Sequence, residues 1–323
     1  MFSGREVEWD ASNRIWSWEK NIVYKGKCKD TGEDVAVKQI PYDSSKGKFE
    51  GIHPNLIREV TILRRLSPHQ YIVQFHNTFC VNDNKRPLWN IVFEYLSCTL
   101  KQLIKQKLDP SNVKRLIYQI LSGVAHCHSH SVIHRNLNSE SILFEENSRR
   151  IKIAGFGLSR SCSIPFGVEE KFLKSYSPGV EAADISYQPP EFLLLSENYS
   201  LSSDMWSVGC IFAEMARGDV LFEANSCSVS QLSEIFSVLG TPTEADWAGV
   251  TSYIGWEEEL EALDYNFTSK DLTLEALKAK VPALDVDGMD LLSQMLTYNP
   301  SERITAKKAL DHAYFKNLDK TEL

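Results

Sequence analysis

One stretch of the chain, residues 131–160 (SVIHRNLNSESILFEENSRRIKIAGFGLSR), constrains the fold and the chemistry more than any other. It contains two short motifs, His134-Arg135-Asn136 and Gly155-Phe156-Gly157. The amide of Asn136 can orient a hydroxyl group, but it cannot accept a proton near neutral pH. Gly155 has no side chain, so it offers no carboxylate oxygen, the ligand that Mg²⁺ prefers. Neither Asn136 nor Gly155 can therefore act as a general base or as a carboxylate ligand.

Both motifs resemble the catalytic loop H-R-D-L-x-x-x-N and the D-F-G motif of eukaryotic protein kinases. In that family the loop Asp receives the proton of the substrate hydroxyl, while the loop Asn and the D-F-G Asp hold magnesium against the ATP phosphates. The chain keeps the frame, including Arg135, but has Asn136, Ser141 and Gly155 at the three chemical positions. Asn138 stands where cyclin-dependent kinases carry a Lys. The resemblance therefore implies a kinase fold with degenerate catalytic positions, which is a pseudokinase.

The start of the resemblance lacks a phosphate-binding loop. Aligned on the IVYKGKCK strand, the glycine-rich loop of kinases falls at Trp16, Trp18 and Asn21, and no glycine occurs between Gly4 and Gly26. Active kinases need residues without a Cβ at this loop, because it lies close over the phosphates. Two indoles here are expected to fill the space instead of wrapping a triphosphate.

The resemblance also implies a nucleotide pocket, formed by residues from both lobes. Lys38, in the strand Val35–Lys38, would grip the α and β phosphates and pair with Glu59 of the following helix. The resemblance also implies apolar walls formed by Val23, Ala36 and Leu143. Phe93 would lie at the back of the pocket, and the backbone of Glu94 and Leu96 would face adenine. Because Lys38 alone would answer the phosphate charge, we expect weak ATP binding or none, and no magnesium.

Residues 50–59 resemble the first small-lobe helix of cyclin-dependent kinases, on which a cyclin docks. Ile57, Val60 and Leu63 recur at helical spacing. The resemblance implies a protein partner, cyclin-like, at a surface formed by Ile57 and Arg58. The alternative is that Ile57 packs inside the small lobe, as apolar helix positions usually do.

In the second part of the chain, the residues that support the kinase scaffold are present. An amphipathic helix follows Asp109-Pro110-Ser111, and Ser111 is a candidate cap. The resemblance implies that Asp204 bonds the loop backbone near Arg135 and that Arg303 pairs with Glu191. Ser175 and Ser177 are candidate phosphorylation sites in the activation segment, where the usual Thr has no clear counterpart.

Composition sets outer limits on function. The chain has 323 residues, 43% of them hydrophobic, which is enough for a large core or two lobes. A formal charge of −8 argues against nucleic acid as the main partner. No apolar run is long enough to span a membrane, and the start lacks the apolar core of a signal peptide. Seven scattered cysteines indicate a reducing, intracellular compartment and no zinc site.

The sequence thus predicts an α+β, bilobal protein-kinase fold, with a small lobe and hinge over residues 1–96 and a large lobe over residues 97–323. The function it favours is that of a cyclin-dependent-kinase-like pseudokinase that binds a protein partner. Two alternatives stay open, a serine/threonine kinase of the cyclin-dependent type with residual activity and an adaptor that binds a nucleotide without metal.

Overall fold

The structure is a computed structural model that describes residues 7–18, 21–40, 54–83, 86–162, 185–195, 200–223, 227–257, 270–321 and 323. Its fold is the predicted one, with a small lobe built on a β-sheet and a larger, mainly helical lobe. The candidate phosphorylation sites Ser175 and Ser177 lie outside the described residues, as does the beginning of the docking segment, residues 50–53.

The small lobe is built on a five-stranded antiparallel sheet with the order β1-β2-β3-β5-β4. Its strands are β1 (Val7–Trp18), β2 (Asn21–Cys28), β3 (Asp34–Ile40), β4 (Phe75–Asp83) and β5 (Arg86–Glu94). In β3, Val35 and Val37 are buried on one face, while Ala36 and Lys38 alternate with them and are half-buried on the other. This alternation leaves one face of the sheet for a small core and turns the other toward the large lobe.

The first strand begins earlier than the sequence indicates. The sequence predicts strands from about Arg14, but β1 starts at Val7, which pairs with Cys28 of β2. Val7 is buried in a cluster with Val35 and Val37, and this packing outweighs the polar residues between Val7 and Arg14. At the other end the pairing continues to Trp18 opposite Asn21. Trp16, Trp18 and Asn21 of the glycine-free segment therefore lie in the paired strands β1 and β2. Their side chains lie outside the described part of the structure.

The helix of the small lobe, α1 (Pro54–Leu66), follows the sheet in the chain. Its buried face carries Leu56, Glu59, Ile62, Leu63 and Leu66. The three residues that recur at helical spacing in the sequence, Ile57, Val60 and Leu63, do not define this face, because only Leu63 is fully buried.

The large lobe has short strands at its junction with the small lobe and helices elsewhere. Its strands are β6 (Cys98–Thr99), β7 (Val132–Ile133), β8 (Ile142–Glu145), β9 (Arg150–Ile153) and β10 (Arg160–Ser161). Its helices are α2 (Leu100–Ile104), α3 (Pro110–Ser129), α4 (Pro190–Leu193), α5 (Leu201–Arg217), α6 (Ser228–Leu239), α7 (Lys270–Lys280), α8 (Val286–Met295) and α9 (Ala306–Leu310). Single 3-10 turns occur at Phe156–Leu158, Val250–Ser252 and Ala313–Phe315. Within the described ranges, no helix is both long enough and apolar enough to cross a membrane.

The cap of α3 differs from the predicted one. Asp109 is the N-cap, and its side chain accepts a hydrogen bond from the backbone N–H of Asn112. Ser111 lies inside the first turn and donates its hydroxyl to Asp109 instead. A carboxylate at the positive end of the helix dipole is favourable, and Pro110 suits the first helical position, so the helix starts one residue before Ser111.

Backbone hydrogen bonds tie the two lobes together where the α1–β4 connection meets β9. The connection from α1 to β4 runs beside β9, where Val73 N–H donates to Ile153 O at 2.9 Å and Ile153 N–H donates to Tyr71 O at 2.9 Å. We propose residue 96 as the end of the small lobe, because the five-stranded sheet ends at Glu94 and β6 belongs to the sheet β6-β8-β9.

Candidate active site

The loop after β7 is held by a buried carboxylate. Asp204, in the first turn of α5, accepts the backbone N–H of His134 through Oδ2 and that of Arg135 through Oδ1, each at 2.9 Å. Nε2 of His128 lies 2.9 Å from Asp204 Oδ2. Burial opposes ionisation, but the hydrogen bond with His128 and the backbone N–H of His134 hold the pKa of Asp204 below its usual range. Arg135 has a φ of 70°, so this anchoring also supports a turn that L-residues rarely adopt.

His134 connects this loop to the second motif. Its Nε2 donates to Ala154 O at 2.9 Å, and its ring meets that of Phe156 edge-on at 4.8 Å. Both rings are almost completely buried. Burial lowers the pKa of His134, so the ring is neutral at neutral pH and serves as a packed hydrogen-bonding spacer.

The turn at residues 138–141 closes on itself. The hydroxyl of Ser141 donates to Asn138 O at 2.9 Å and accepts the Asn138 N–H at 3.0 Å. The side-chain oxygen of Asn138 accepts the N–H groups of Glu140 and Ser141, at 2.9 and 2.8 Å. The Asn138 amide nitrogen lies 3.4 Å from Asn136 O, a weak contact. The polar groups at two of the four degenerate positions are thus engaged with the loop's own backbone.

Gly155 lies next to this turn. Its backbone is left-handed, with φ 85° and ψ 33°. A Cβ placed on Gly155 would lie 3.5 Å from Cβ of Ser141 and 3.9 Å from Cε1 of His134, both ordinary contacts. The four degenerate positions of the sequence therefore come together in one place, and a larger side chain at 155 would have room.

These residues do not fit a magnesium ion. Mg²⁺ is bound through carboxylates and phosphates in near-octahedral geometry. Here Gly155 contributes no oxygen, and the hydroxyl of Ser141 is already engaged with Asn138. Glu145, a conceivable substitute ligand, accepts a hydrogen bond from Ser148 at the surface. In the part of the chain that the structure describes, no group of three or more His, Cys, Asp or Glu side chains is arranged to hold a metal ion.

The predicted ion pair between β3 and α1 is present. Lys38 Nζ lies 2.8 Å from Glu59 Oε2 and 3.1 Å from Oε1. The Glu59 side chain is 2% exposed and that of Lys38 is 16% exposed. Gly157 packs against this pair, since a Cβ there would lie 3.4 Å from Glu59 Oε2. The helix, the strand and the second motif are therefore docked on one another.

The residues that the resemblance implies as apolar walls of a nucleotide pocket on β2 and β3 lie on the same face of the sheet as Lys38. Val23 lies opposite Lys38, and Ala36 opposite Phe93, in antiparallel register. Directly opposed residues of an antiparallel pair point to the same face. The other implied pocket residues lie at the end of β5, just beyond it and on β8: Glu94, Leu96 and Leu143.

Glu94 braces this hinge through its side chain. Its carboxylate accepts the Gln74 N–H at 2.6 Å and lies 2.8 Å from Lys152 Nζ on β9 of the other lobe. The Glu94 N–H donates to Gln74 O at 3.1 Å. A nucleotide could therefore use the backbone of Glu94 only through its carbonyl group.

On α1, the two residues predicted to bind a partner are placed differently. Ile57 is 52% exposed, which contradicts the alternative that it packs inside the small lobe. Arg58 is half-buried. The exposed side of the helix thus carries an apolar residue, while Glu59 lies on the buried face.

The predicted pair at the base of the large lobe is also present. Arg303 donates to both carboxylate oxygens of Glu191, at 2.9 and 3.0 Å, and both side chains are almost completely buried. Arg303 also donates to the carbonyl groups of Thr297, Ser202 and Tyr298. A planar guanidinium with five donors suits such a site, where every N–H meets an oxygen.

One buried network was missed from the sequence. Glu214 of α5 accepts hydrogen bonds from Tyr187 at 2.8 Å and from Ser139 at 3.0 Å, which links the loop to the segment before α4. Burial raises the pKa of Glu214, while these two donors oppose that shift. The signal available was a single Glu in the apolar run CIFAEMA, since a carboxylate in such a run is rarely buried without a partner.

Comparison with known proteins agrees with this geometry. The model of the protein kinase domain family matches residues 19–315. The chain is 40% identical to cyclin-dependent kinase B1-1 of Arabidopsis thaliana over 93% of its length and 94% of that protein. It is 39% identical to cell division control protein 2 homolog C of Antirrhinum majus, again over 93% and 94%, and 38% identical to homolog D of the same plant, over 93% and 91%. The chain therefore belongs to the protein kinase family and, within it, is cyclin-dependent-kinase-like.

Proposed function

We propose that this chain is a pseudokinase of the cyclin-dependent type, which transfers no phosphate and acts by binding other proteins. One observation carries the proposal: the hydroxyl of Ser141 is closed onto Asn138, next to a residue without a side chain, Gly155. Phosphoryl transfer depends on positioning and on metal ions that neutralise the transferred group. Without carboxylates at these positions, the site can neither bind the metal ions nor accept the proton of the substrate hydroxyl. Losing a general base alone typically lowers a rate by a factor of about 10²–10⁴.

The direct test is an assay of γ-phosphate transfer. The purified chain is incubated with labelled ATP, magnesium and generic protein substrates, and no incorporation above background is expected in the chain or the substrates. The matched variants are Lys38→Met, which removes the phosphate-facing cation, and Lys25→Met, a partly exposed lysine on β2 that pairs with Asp34. Transfer that disappears in Lys38→Met but persists in Lys25→Met would overturn the proposal.

The second candidate is a serine/threonine kinase with residual activity. Two observations favour it, the intact Lys38–Glu59 pair and the kinases among its relatives. The pair supports the adenine and phosphate end of a kinase site, not the metal end. The same assay separates the two candidates, because residual activity predicts incorporation that depends on Lys38.

The third candidate is an adaptor that binds a nucleotide without metal. It is favoured by the sheet face that carries Val23, Ala36 and Lys38. We expect ATP to raise the melting temperature slightly or not at all, and magnesium to add nothing, because the residues near Gly155 offer the ion no carboxylate. A thermal-shift titration with ATP, with and without magnesium, checks this. Micromolar binding that requires magnesium would instead favour an active kinase.

For the partner, we propose a cyclin-like helical protein docked on the exposed side of α1. The exposure of Ile57 supports this, because an apolar side chain in the centre of an interface often contributes about 2 kcal/mol or more of binding free energy. One relative is named cyclin-dependent kinase B1-1, and this name supports a cyclin-like partner for the proposal.

The test compares Ile57→Asp with Ile254→Asp, an equally apolar and even more exposed position in the large lobe. Pull-down with purified cyclin-like proteins should lose the partner only in Ile57→Asp, while both variants keep the melting curve of the parent. A folded Ile57→Asp variant that retains every partner would show that this surface is not the interface.

A further inference from the structure

A cavity of about 280 Å³ lies where the α1–β4 connection meets β9 and backbone hydrogen bonds tie the two lobes together. It is lined by residues 67–70, Ile72 and Gln74 of the α1–β4 connection and by Lys152 of β9. The same connection carries the backbone hydrogen bonds between Tyr71, Val73 and Ile153. A molecule in the cavity would therefore touch residues of both lobes at their junction.

The lining is rich in hydrogen-bond donors. Lys152 has one ion-pair partner among the described residues, Glu94, which leaves two of its three N–H groups for other acceptors. His69 accepts the Tyr71 N–H through Nδ1, so the proton of its neutral ring is on Nε2. The amides of Gln70 and Gln74 have no side-chain hydrogen bond to another described residue.

The cavity is lined by neutral residues and by one cation, Lys152, whose charge is partly balanced by the Glu94 carboxylate at 2.8 Å. None of its lining residues is a carboxylate. The neighbouring Glu94 carboxylate already accepts from Lys152 and from the Gln74 N–H through the same oxygen. The His69 ring stacks on that of His126 at 4.0 Å, and His126 packs on His130 at 4.4 Å. Burial, reinforced by His126, His130 and Lys152, lowers the pKa of His69 to about 4, which agrees with an environment that disfavours further positive charge.

We propose that this cavity binds a small oxyanion, the carboxylate or phosphate group of a solute, between Lys152, His69 and Gln70. An oxyanion supplies only hydrogen-bond acceptors. The lining offers donors that such acceptors would satisfy, an ammonium group, an imidazole N–H and side-chain amides. The volume suits a small solute, because pockets for drug-sized ligands start at about 300 Å³. The site goes beyond the proposed pseudokinase function and does not depend on it.

The experiment is a titration of the full chain, labelled at its histidine rings, with sodium phosphate and separately with sodium succinate, against sodium chloride at the same ionic strength. The His69 resonance is identified by its loss in His69→Gln. We expect it to shift in a saturable way at pH 7. The exposed residue Gln70 gives a matched pair of variants: Gln70→Glu should weaken the binding about threefold or more, and Gln70→Lys should strengthen it by a similar factor.

Lys38→Met separates this site from the nucleotide cleft, because it removes the cation there and should leave the His69 titration unchanged. Saturation by phosphate alone assigns a phosphate ester as the ligand class, and saturation by succinate alone assigns a carboxylate. The proposal is overturned by a linear shift, which means an adventitious ion only, by equal affinity in Gln70→Glu and the parent, or by loss of the shift in Lys38→Met.

Discussion

Two sets of polar residues in the large lobe differ in how they are satisfied. At the base of the lobe, Glu191 and Arg303 are charged, buried and bonded to each other, and Arg303 also donates to several carbonyl groups. At the cleft, Asn138 and Ser141 are neutral, and their side chains bond to the backbone of their own turn. Removing a charge from the first set leaves the other charge buried without a partner, whereas the second set borders the cleft and holds no charge to strand. Substitution of the buried charged pair is therefore expected to cost more stability than substitution of the neutral residues at the cleft.

The largest effect should come from breaking the buried pair. Arg303→Met leaves the Glu191 carboxylate uncompensated and should lower the free energy of unfolding by about 3–5 kcal/mol, measured by urea denaturation. The control is Arg303→Met combined with Glu191→Leu, which removes both charges and should recover a large part of the loss. A single variant as stable as the parent would mean that the pair does not support the lobe.

A smaller loss is expected at Asp204. Asp204→Asn keeps the shape but removes the charge that accepts the His134 and Arg135 N–H groups and faces His128. Hydrogen bonds to charged groups contribute about 1.5–3 kcal/mol, so we expect a loss in that range and weaker protection of the His134 and Arg135 amides against hydrogen exchange. If protection falls throughout the domain and not first at these amides, Asp204 supports the whole fold and not the loop.

These two anchors could be predicted from the sequence, because charged residues at fixed positions of a family pattern have only one set of partners. The bilobal fold and the Lys38–Glu59 pair were predictable for the same reason. What could not be predicted depends on packing between distant segments. The exposure of Ile57 depends on which face of α1 meets the sheet, and a three- or four-residue spacing alone does not decide this. The Asp109 cap was missed because two capping residues stood within one turn of each other.

The closed turn at residues 138–141 was equally out of reach of the sequence. The sequence shows that the lysine and the asparagine of the kinase loop are absent, and it suggests that Ser141 could offer a hydroxyl to a metal. Only the folded structure reveals that this hydroxyl both donates to and accepts from the Asn138 backbone. The Glu214 network is similar, since its partners Tyr187 and Ser139 lie 27 and 75 residues away in the chain.

Acid should destabilise the fold through two histidines, the half-buried His69 and the buried His134. Burial lowers the pKa of His69 to about 4, and burial also lowers that of His134. In the unfolded chain both rings titrate near pH 6.5, so the unfolded state binds more protons below that pH and the folded state loses stability as pH falls from about 6.5 toward 4. Urea midpoints measured at pH 7, 6 and 5 should decrease in this order, and His69→Gln should make the decrease shallower. An unchanged slope in His69→Gln would assign the effect to other groups.

The smallest effect is expected at Gly155, where the comparison between scaffold and cleft can be sharpened most. A Cβ at this position meets nothing closer than 3.5 Å, so the only cost of Gly155→Asp is the left-handed backbone, about 1 kcal/mol. Gly218→Asp is the matched control, because Gly218 has a φ of 89° and a Cβ added there would meet nothing within 4 Å. We expect both variants to lose about the same stability by urea denaturation, and neither to transfer phosphate, even when Gly155→Asp is combined with Asn136→Asp. One new carboxylate and a restored base still lack the second metal ligand, because the Ser141 hydroxyl stays bonded to Asn138. Phosphate transfer by the double variant, absent in Gly218→Asp, would show that the closed turn opens readily and that the lost chemistry resides in these two side chains alone.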